Sequence, residues 1–353
     1  MNGLVNTVPS YWQEYLQKKI DTIKALQKDY GANGVSFALI SDFHVCVNEK
    51  HSPSILQKVL NECNIPYFFN AGDVVSGKGI ISPQDLLGEI DEFYGLIAPI
   101  KEKCLSAEGN HDRAFSTFNP PNYYRENLTK KEFFAKYFSY QTKCRDRVFG
   151  DGEYFFVDDK ENKVRYIVLN SQDVPTEEKT EQGFSRYNVM THFGFLQKQL
   201  DWLATVALKF PESGWNVVVC SHATVYGISC EQNTYNYGAL MGMLWAFNNG
   251  MAFATEEKHD NSLFDVKVAV DFSNGGGGNV VAWLGGHTHA DKVAKQNGIV
   301  CVEIDTDASY GKHVGTTDEQ VIDVFTVDLN KKHVKVVRIG RGKDREFSYA
   351  KEQ

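Results

Sequence analysis

The 353-residue sequence predicts an α/β fold in which several buried strands end at one common edge. Short apolar runs rich in β-branched residues end in glycine or polar residues, which is typical of buried strands. Segments between the runs show the apolar spacing of amphipathic helices, and a polar patch directly follows each run. Five runs have these features: residues 35–40, 67–70, 103–106, 216–220 and 280–284.

Four helices are predicted around the strands. Residues 10–30 carry an apolar face, and Ser10 with Gln13 fits a capping box behind Pro9. Helix start signals stand at Ser82 followed by Pro83, and at Thr129 followed by Glu132. A fourth helix is predicted over residues 191–209, and three more strands follow near residues 299–304, 321–328 and 333–339.

The polar patches contain the oxygen and nitrogen donors that hard to borderline divalent metals prefer. They are, in chain order, Asp42 with His44, Asp73, the run Asn110, His111 and Asp112, then His222, and finally His287 with His289. A single histidine beside a strand is more often an ordinary hydrogen-bonded residue, and a Gly-Asp pair is more often a plain turn. The complete ordered set at strand ends instead predicts one metal site.

Three glycines fit this interpretation. Gly72, Gly109 and Gly286 stand next to the predicted ligands. Because glycine has no Cβ, it permits the tight turns that bring backbone close to a metal or a phosphate.

The ordered series DxH, GD, GNHD, a lone His and GHxH resembles the signature of the calcineurin-like metallophosphoesterase superfamily over about residues 35–305. The resemblance implies a four-layer αββα sandwich of two mixed sheets, the metallo-dependent phosphatase fold. It also implies two divalent ions about 3.5–4 Å apart, drawn from Mn, Fe, Zn, Ni or Co. The expected reaction is hydrolysis of a phosphomonoester or phosphodiester by a metal-bridging hydroxide.

The resemblance also assigns roles to individual residues. Asp42, His44 and His289 would hold one metal ion. Asn110, His222 and His287 would hold the other, with Asp73 bridging the two. His111 would be the general acid that meets the leaving group, and Asp112 would orient it.

The sequence differs from the signatures of two related groups of phosphatases, which disfavours their reactions for this chain. Ser76 stands where purple acid phosphatases carry a tyrosine ligand, and the Asp-Arg pair of the serine/threonine protein phosphatases is absent after Asp73. Small-molecule phosphoester hydrolases and nucleases with GNHD remain. A non-catalytic interaction module that keeps the fold is a third alternative, which the complete set of predicted ligands disfavours.

Composition limits the partners and the location. A net charge of -8 and a pI near 5.7 give no general attraction to polyanions, so nucleic acid is possible but not favoured as a partner. Seven cysteines without CxxC spacing, and an N-terminus without a signal-like segment, predict a cytoplasmic protein with no membrane association. Oligomeric state cannot be deduced from the chain.

The length favours one domain over residues 1–353. In this organisation residues 1–34 form a helix packed on the core, residues 35–305 carry the catalytic motifs and residues 306–353 add C-terminal strands. Basic residues at 331–332 and 338–345 are expected to form a small solvated patch.

Substrate specificity is expected from two long segments that follow ligand motifs. In residues 113–128, Tyr123, Tyr124 and Arg125 are predicted to contact substrate, although a packed surface loop is the alternative. Residues 223–250 follow His222, and we expect their first part to lie near the metals. Arg186 is a weaker candidate for a phosphate contact.

Overall fold

The computed structural model describes residues 7–45, 51–76, 80, 82–115, 126–225, 233–309 and 311–351. Within these residues one sheet of six strands has the order β19-β18-β17-β1-β2-β3. Its strands, numbered in chain order for the whole protein, are β1 (Gly34–Ile40), β2 (Phe68–Asn70), β3 (Cys104–Ser106), β17 (Val321–Asp328), β18 (His333–Gly340) and β19 (Arg345–Ser348). β1, β2 and β3 are parallel, whereas the other pairings in this sheet are antiparallel.

A second sheet of seven strands has the order β15-β16-β14-β10-β8-β7-β6 and is also mixed. Its strands are β6 (Arg147–Phe149), β7 (Phe155–Asp159), β8 (Val164–Val168), β10 (Asn216–Cys220), β14 (Asn279–Gly285), β15 (Lys292–Gln296) and β16 (Ile299–Glu303). Three two-stranded ribbons complete the strands: β4 (Ala114–Phe115) with β5 (Glu126–Asn127), β9 (Phe193–Gly194) with β11 (Thr234–Tyr235), and β12 (Ala252–Glu257) with β13 (Val266–Asp271).

Six α-helices lie among the described residues. They are α1 (Gln13–Tyr30), α2 (Ser52–Glu62), α3 (Pro83–Leu96), α4 (Lys130–Tyr137), α5 (Gln197–Trp202) and α6 (Tyr237–Asn249). A π-helical turn, Leu203–Ala207, continues α5.

Successive side chains of β10 face two different apolar clusters, which shows how the layers stack. Val218 and Cys220 belong to the larger apolar cluster, which also contains the helices α1 to α4 and the first sheet. Val217 and Val219 point to the other face and pack with α5 and α6. Because successive strand residues face opposite sides, the second sheet lies between two cores. The predicted sandwich of two mixed sheets flanked by helices is confirmed.

The N-terminal helix α1 packs on the first sheet. Leu16, Ile20 and Ile23 are buried in the larger cluster. Trp12 Nε1 donates a 2.9 Å hydrogen bond to the buried Glu319, which links the start of the helix to a C-terminal loop. The assignment of the whole chain to one domain stays a prediction.

Several predicted element boundaries are wrong. Ser10 and Gln13 do not form a capping box, because Ser10–Trp12 is a 3₁₀ turn and Trp12 is the N-cap residue without a side-chain bond. The predicted helix 191–209 begins only at Gln197, since residues 193 and 194 pair with β11. The N-terminal signals at Ser82 and Thr129 are confirmed, the latter as a full capping box with Glu132.

The expected basic patch at residues 338–345 is also wrong in part. Arg338 is 1% exposed and donates to both Asp323 and Asp291. Arg345 pairs with the same two carboxylates. These arginines therefore join β18 and β19 to β17 and to the segment after His289, and they do not form a solvated hairpin surface.

Across the described ranges, no helix combines the length and the apolar character that crossing a membrane requires. The cytoplasmic location stays a prediction.

Candidate metal centre

Backbone hydrogen bonds hold the ends of β1 and β2 side by side. The Asp42 N–H donates to Gly72 O at 2.9 Å, and the His44 N–H donates to Asp73 O at 3.0 Å. In the second sheet the Gly286 N–H donates to His222 O at 2.9 Å. The His287 N–H donates to Asp42 Oδ2 at 3.1 Å and so connects the two sheets. The His111 N–H donates to Asp73 Oδ1 at 2.8 Å, so all five candidate ligand patches meet at one edge of the sandwich.

One group of donor atoms comprises Asp42, His44 and His289, whose ligand atoms lie within 4.8 Å of one another. The Nε2 atoms of His44 and His289 are 3.2 Å apart, and His289 Nε2 is 3.1 Å from Asp42 Oδ1. Asp42 is fully buried, whereas the His289 side chain is 38% exposed. This group is therefore open to solvent on one side.

A second group surrounds His222. Its Nε2 atom is 2.7 Å from Asn110 Oδ1 and 3.3 Å from Asp73 Oδ2. His287 Nδ1 is 2.9 Å from the same Asn110 oxygen. The ligand atoms of Asp42, Asp73 and His222 also lie within 4.8 Å of one another, so Asp42 is near both groups. The bridging role of Asp73 stays a prediction.

Main-chain carbonyls fix which nitrogen two histidines offer. His44 Nδ1 is 2.9 Å from Val75 O, and His222 Nδ1 is 2.9 Å from Ala71 O. A carbonyl can only accept, so both Nδ1 atoms carry hydrogen, and in a neutral ring the Nε2 lone pair faces the site. This hydrogen bonding is usual for metal-binding histidines.

The candidate ligands have an unusual backbone. Asp42, His44, Asp73, His287 and His289 all have φ between 47° and 74°. This left-handed region disfavours residues with a Cβ and costs about 1–3 kcal/mol at each position. Five of the eleven described non-glycine residues with positive φ are candidate ligands, so the strain is concentrated where the donor atoms converge.

Glycine is required at the close approaches between patches, whereas the predicted approach of these backbones to a metal or phosphate stays a prediction. A Cβ on Gly109 would overlap Asp73, and a Cβ on Gly286 would overlap Ser41 and Asp42. Gly72 has φ +101° and a Cβ there would press on Gly109. Each glycine thus permits two ligand-bearing loops to touch.

Burial and mutual charge set the ionisation of the carboxylates. Burial opposes ionisation of Asp42, but the hydrogen bond with His289 and the charge of His222 hold its pKa at about 2. Burial also opposes ionisation of Asp73, whose pKa the charge of His222 lowers well below the usual range. Burial favours neutral His222, yet the charge of Asp73 raises the pKa of that ring to about 9. Two buried anions therefore face the imidazoles.

His111 lies beside these groups. Its main-chain N–H donates a 2.8 Å hydrogen bond to Asp73 Oδ1, and its Nε2 is 3.9 Å from Asp73 Oδ2. The ring is 5.2 Å from that of His44 in an edge-to-face arrangement. Burial lowers the pKa of His111, although its side chain remains 21% exposed.

Asp112 was predicted to orient His111, but the contacts observed for its side chain are with the main chain. Its buried carboxylate accepts hydrogen bonds from the main-chain N–H groups of Asp73, Val74, Val75 and Gly109 at 2.7–3.1 Å. These bonds hold the turn after β2 against the turn after β3. Asp112 therefore braces the backbone of the ligand loops, and a part in orienting His111 stays a prediction.

Three supporting residues were not predicted from the sequence. Glu108 and Arg113 form a buried 2.9 Å ion pair that flanks the Asn110 turn on both sides. The Asn110 amide nitrogen donates to Met190 Sδ at 3.1 Å, which directs the Asn110 oxygen toward the histidines. A Glu before the GNHD motif and an Arg after it were the only sequence signals for the ion pair.

The predicted substrate contacts stay predictions. Tyr123, Tyr124 and Arg125 fall outside the described residues. Arg186 lines an open cleft of about 1020 Å³ with Tyr187, Tyr235 and His259, and none of the candidate ligands is among the residues that line it. The predicted loop after His222 contains the helix α6, whose apolar residues pack on the second sheet.

Comparisons with known proteins bear on the family and the fold of the chain. A family model described as calcineurin-like phosphoesterase matches residues 35–291. No curated protein matches the chain. The solved structure of a dimetal phosphatase from Danio rerio has a TM-score of 0.54 and 13% identity, covering 90% of this chain and 99% of that one.

Two other solved structures are more distant. A putative 5'-nucleotidase from Staphylococcus aureus has a TM-score of 0.40 and 12% identity over 91% of this chain, which spans 55% of that protein. Vacuolar protein sorting 29 from Cryptosporidium parvum has a TM-score of 0.32 and 12% identity, covering 89% of this chain and 98% of that one. The family model covers well over half of the sequence, and the chain therefore belongs to the calcineurin-like phosphoesterase family.

Proposed function

We propose that this protein hydrolyses a phosphomonoester or phosphodiester of a small molecule, using two divalent metal ions held at the strand ends. The convergence of two adjoining donor groups in one strained, buried loop cluster carries this proposal. Membership of the family supports the general reaction class.

The donor residues fit metal ions. Nitrogen and oxygen ligands lie about 2.0–2.2 Å from a divalent ion, so two ligands of one ion are about 3 Å apart. The observed separations of 3.2 Å between the His44 and His289 nitrogens, and of 3.3 Å between His222 and Asp73, agree with this spacing. Asp42, His44 and His289 would hold one ion. Asn110, His222 and His287 would hold the other, and Asp73 would contact both.

When bound, two such ions acidify a water nucleophile and neutralise the charge that develops on the phosphoryl oxygens. The chain supplies the placement of the ions. Main-chain acceptors hold the rings of His44 and His222 with Nε2 toward the centre, and the anionic carboxylates of Asp42 and Asp73 balance the positive charge.

His111 is the proposed general acid. Its Nε2 lies 3.9 Å from Asp73 Oδ2 and its side chain is 21% exposed, which supports a position at the rim of the donor groups, where a leaving oxygen would depart. A protonated ring there can donate to an alkoxide leaving group. Asp112 acts through the backbone of the loops, as its four N–H contacts indicate.

Substrate selection is proposed to come from residues around the cluster, including Tyr123, Tyr124 and Arg125. The net charge of -8 favours a small-molecule substrate over nucleic acid. Manganese is a suitable first metal for assays because the carboxylate and amide oxygens of the donor set suit it.

A substrate panel tests the proposal. Purified protein loaded with Mn²⁺ is expected to release nitrophenol from nitrophenyl phosphate or bis-nitrophenyl phosphate, and a chelator should abolish this activity. A protein that binds metal but hydrolyses neither ester, nor any natural phosphoester in the panel, would support the non-catalytic alternative.

A further inference from the structure

A buried carboxylate at the end of β16 connects two of the ligand loops. Glu303 has no solvent exposure. Its Oε1 atom accepts a 2.9 Å hydrogen bond from Thr224 Oγ1, and its Oε2 atom accepts a 2.9 Å hydrogen bond from Thr288 Oγ1. One carboxylate thus contacts both loops, with one oxygen for each.

Both threonines are close in sequence to the candidate ligands. Thr224 follows His222 by two residues, and Thr288 stands between His287 and His289. The loops carrying these three histidines leave the parallel neighbours β10 and β14. A fixed separation between the two loops therefore fixes the separation of the imidazoles.

The surrounding backbone makes Glu303 a rigid anchor. Glu303 pairs with Gly285 in the β14–β16 register, and the Ile304 N–H donates to Gly285 O at 3.0 Å. A Cβ on Gly285 would collide with the Thr224 methyl group, so the loops pack without a gap. Lys292 Nζ lies 3.6 Å from Glu303 Oε2 and partly balances the buried charge.

The loop held by Thr288 needs such a constraint. His287 and His289 have φ of 74° and 52°, a conformation that persists only where surrounding contacts enforce it. The hydrogen bond from Thr288 acts between these two strained residues. We propose that Glu303 is a positioning residue that clamps the His222 loop to the His287–His289 loop and so presets the metal-binding geometry.

This inference rests on the proposed function only in assuming that these histidines bind metal. Replacement of residues that hold metal ligands in position, without binding the metal themselves, typically weakens metal affinity or activity by about 10–100-fold. Glu303→Leu is therefore expected to weaken Mn²⁺ binding, measured by calorimetric titration of the metal-free protein, by about this factor.

Glu319→Leu is the matched control. Glu319 is equally buried and accepts hydrogen bonds from Tyr11 and Trp12, but it anchors the N-terminal segment instead of a ligand loop. The control should lose stability while keeping the wild-type Mn²⁺ affinity. An equal loss of affinity in both variants would show that general destabilisation is the cause, and the clamp would be rejected.

Conservative replacements test whether metal binding depends on the hydrogen bonds of Glu303 or only on its charge. Glu303→Gln keeps two hydrogen-bonding atoms, so it should bind Mn²⁺ more tightly than Glu303→Leu. Equal losses in the two variants would contradict positioning. If Glu303→Leu does not fold, Thr288→Val removes one contact without changing the carboxylate, and an unchanged affinity there would also overturn the proposal.

The titration also separates this proposal from the proposed function. Mn²⁺ binding that depends on Glu303, in a protein without phosphoesterase activity, would keep the clamp and reject the function. Wild-type binding that Glu303→Leu leaves unchanged would reject the clamp alone. A wild-type protein that binds no Mn²⁺ would reject both.

Discussion

The same strands end very differently at their two edges. At the carboxyl edge, non-glycine residues such as Asp42, Asp73 and His287 adopt left-handed backbone conformations. At the amino edge, positive φ occurs in ordinary turns, at Gly31 before β1 and Gly214 before β10. Non-glycine residues with positive φ also precede strands at the amino edge, at Asn64 and Lys163, but five of the eleven described ones are candidate ligands at the carboxyl edge.

The two edges also differ in the partners of their carboxylates. At the amino end of β8, Arg165 forms a two-point ion pair with Asp158, and its guanidinium lies 3.6 Å from the centre of the Phe156 ring. At the carboxyl edge, the described ion-pair contacts of Asp42 and Asp73 are with histidines. At the amino edge this largely buried anion is paired with a permanent cation, whereas at the carboxyl edge the buried anions face titratable imidazoles, whose protons metal ions could replace.

The largest effect is expected at Asp73. Asp73→Asn removes an anion from the centre of the carboxyl edge, so it should lower both metal occupancy and hydrolysis. This loss should be larger than the decrease of about 10–100-fold that results from replacing residues that support metal ligands without binding the metal. Metal analysis after dialysis and a steady-state assay check this. Full occupancy with normal turnover would show that the contrast between the edges is unrelated to metal binding.

His111→Ala should separate catalysis from metal binding on that same edge. The variant is expected to keep its metals and to lose about 10²–10⁴-fold in rate on esters with poor leaving groups. Nitrophenyl esters need little protonation of the leaving group and should be affected less. An equal loss on both ester types would assign His111 to phosphate binding instead.

Arg165→Met tests the opposite edge. Removing one partner of a buried ion pair costs about 3–5 kcal/mol, because the other charge is left unpaired. The free energy of unfolding from urea titration should fall by about this amount. Metal affinity and turnover of the folded fraction should remain at wild-type values. A loss of metal affinity would mean that the two edges are coupled.

Thr129→Ala should have the smallest effect. This residue caps α4 through a capping box with Glu132, and loss of such a cap costs about 1 kcal/mol. Thermal unfolding should show a modest decrease in midpoint, with unchanged Mn²⁺ affinity. A change in affinity would indicate that α4 contributes to the carboxyl edge.

Sequence patterns predicted that the candidate ligand patches converge because each patch directly follows a strand, so chain order and spacing both carry the signal. The runs before Asp42, Asp73, Asn110, His222 and His287 are all observed as strands. Their convergence follows from parallel neighbours, whose carboxyl ends share an edge.

The elements that were missed depend on contacts between distant segments. The helix α6 is apolar nearly all round, so residues 237–249 lack the one-sided pattern of a surface helix. Glu303 has no local motif, since its partners Thr224 and Thr288 are distant in sequence or belong to another loop. The contacts by which Asp112 braces the ligand loops could not be predicted, because they are made to backbone groups, which sequence patterns do not show.

The most direct test of the central claim is anomalous diffraction from crystals of the protein grown with Mn²⁺. We predict two anomalous peaks about 3.5–4 Å apart at the carboxyl edge. One peak should lie among Asp42, His44 and His289, and the other among Asn110, His222 and His287. A single peak, or peaks only at other sites, would contradict the account.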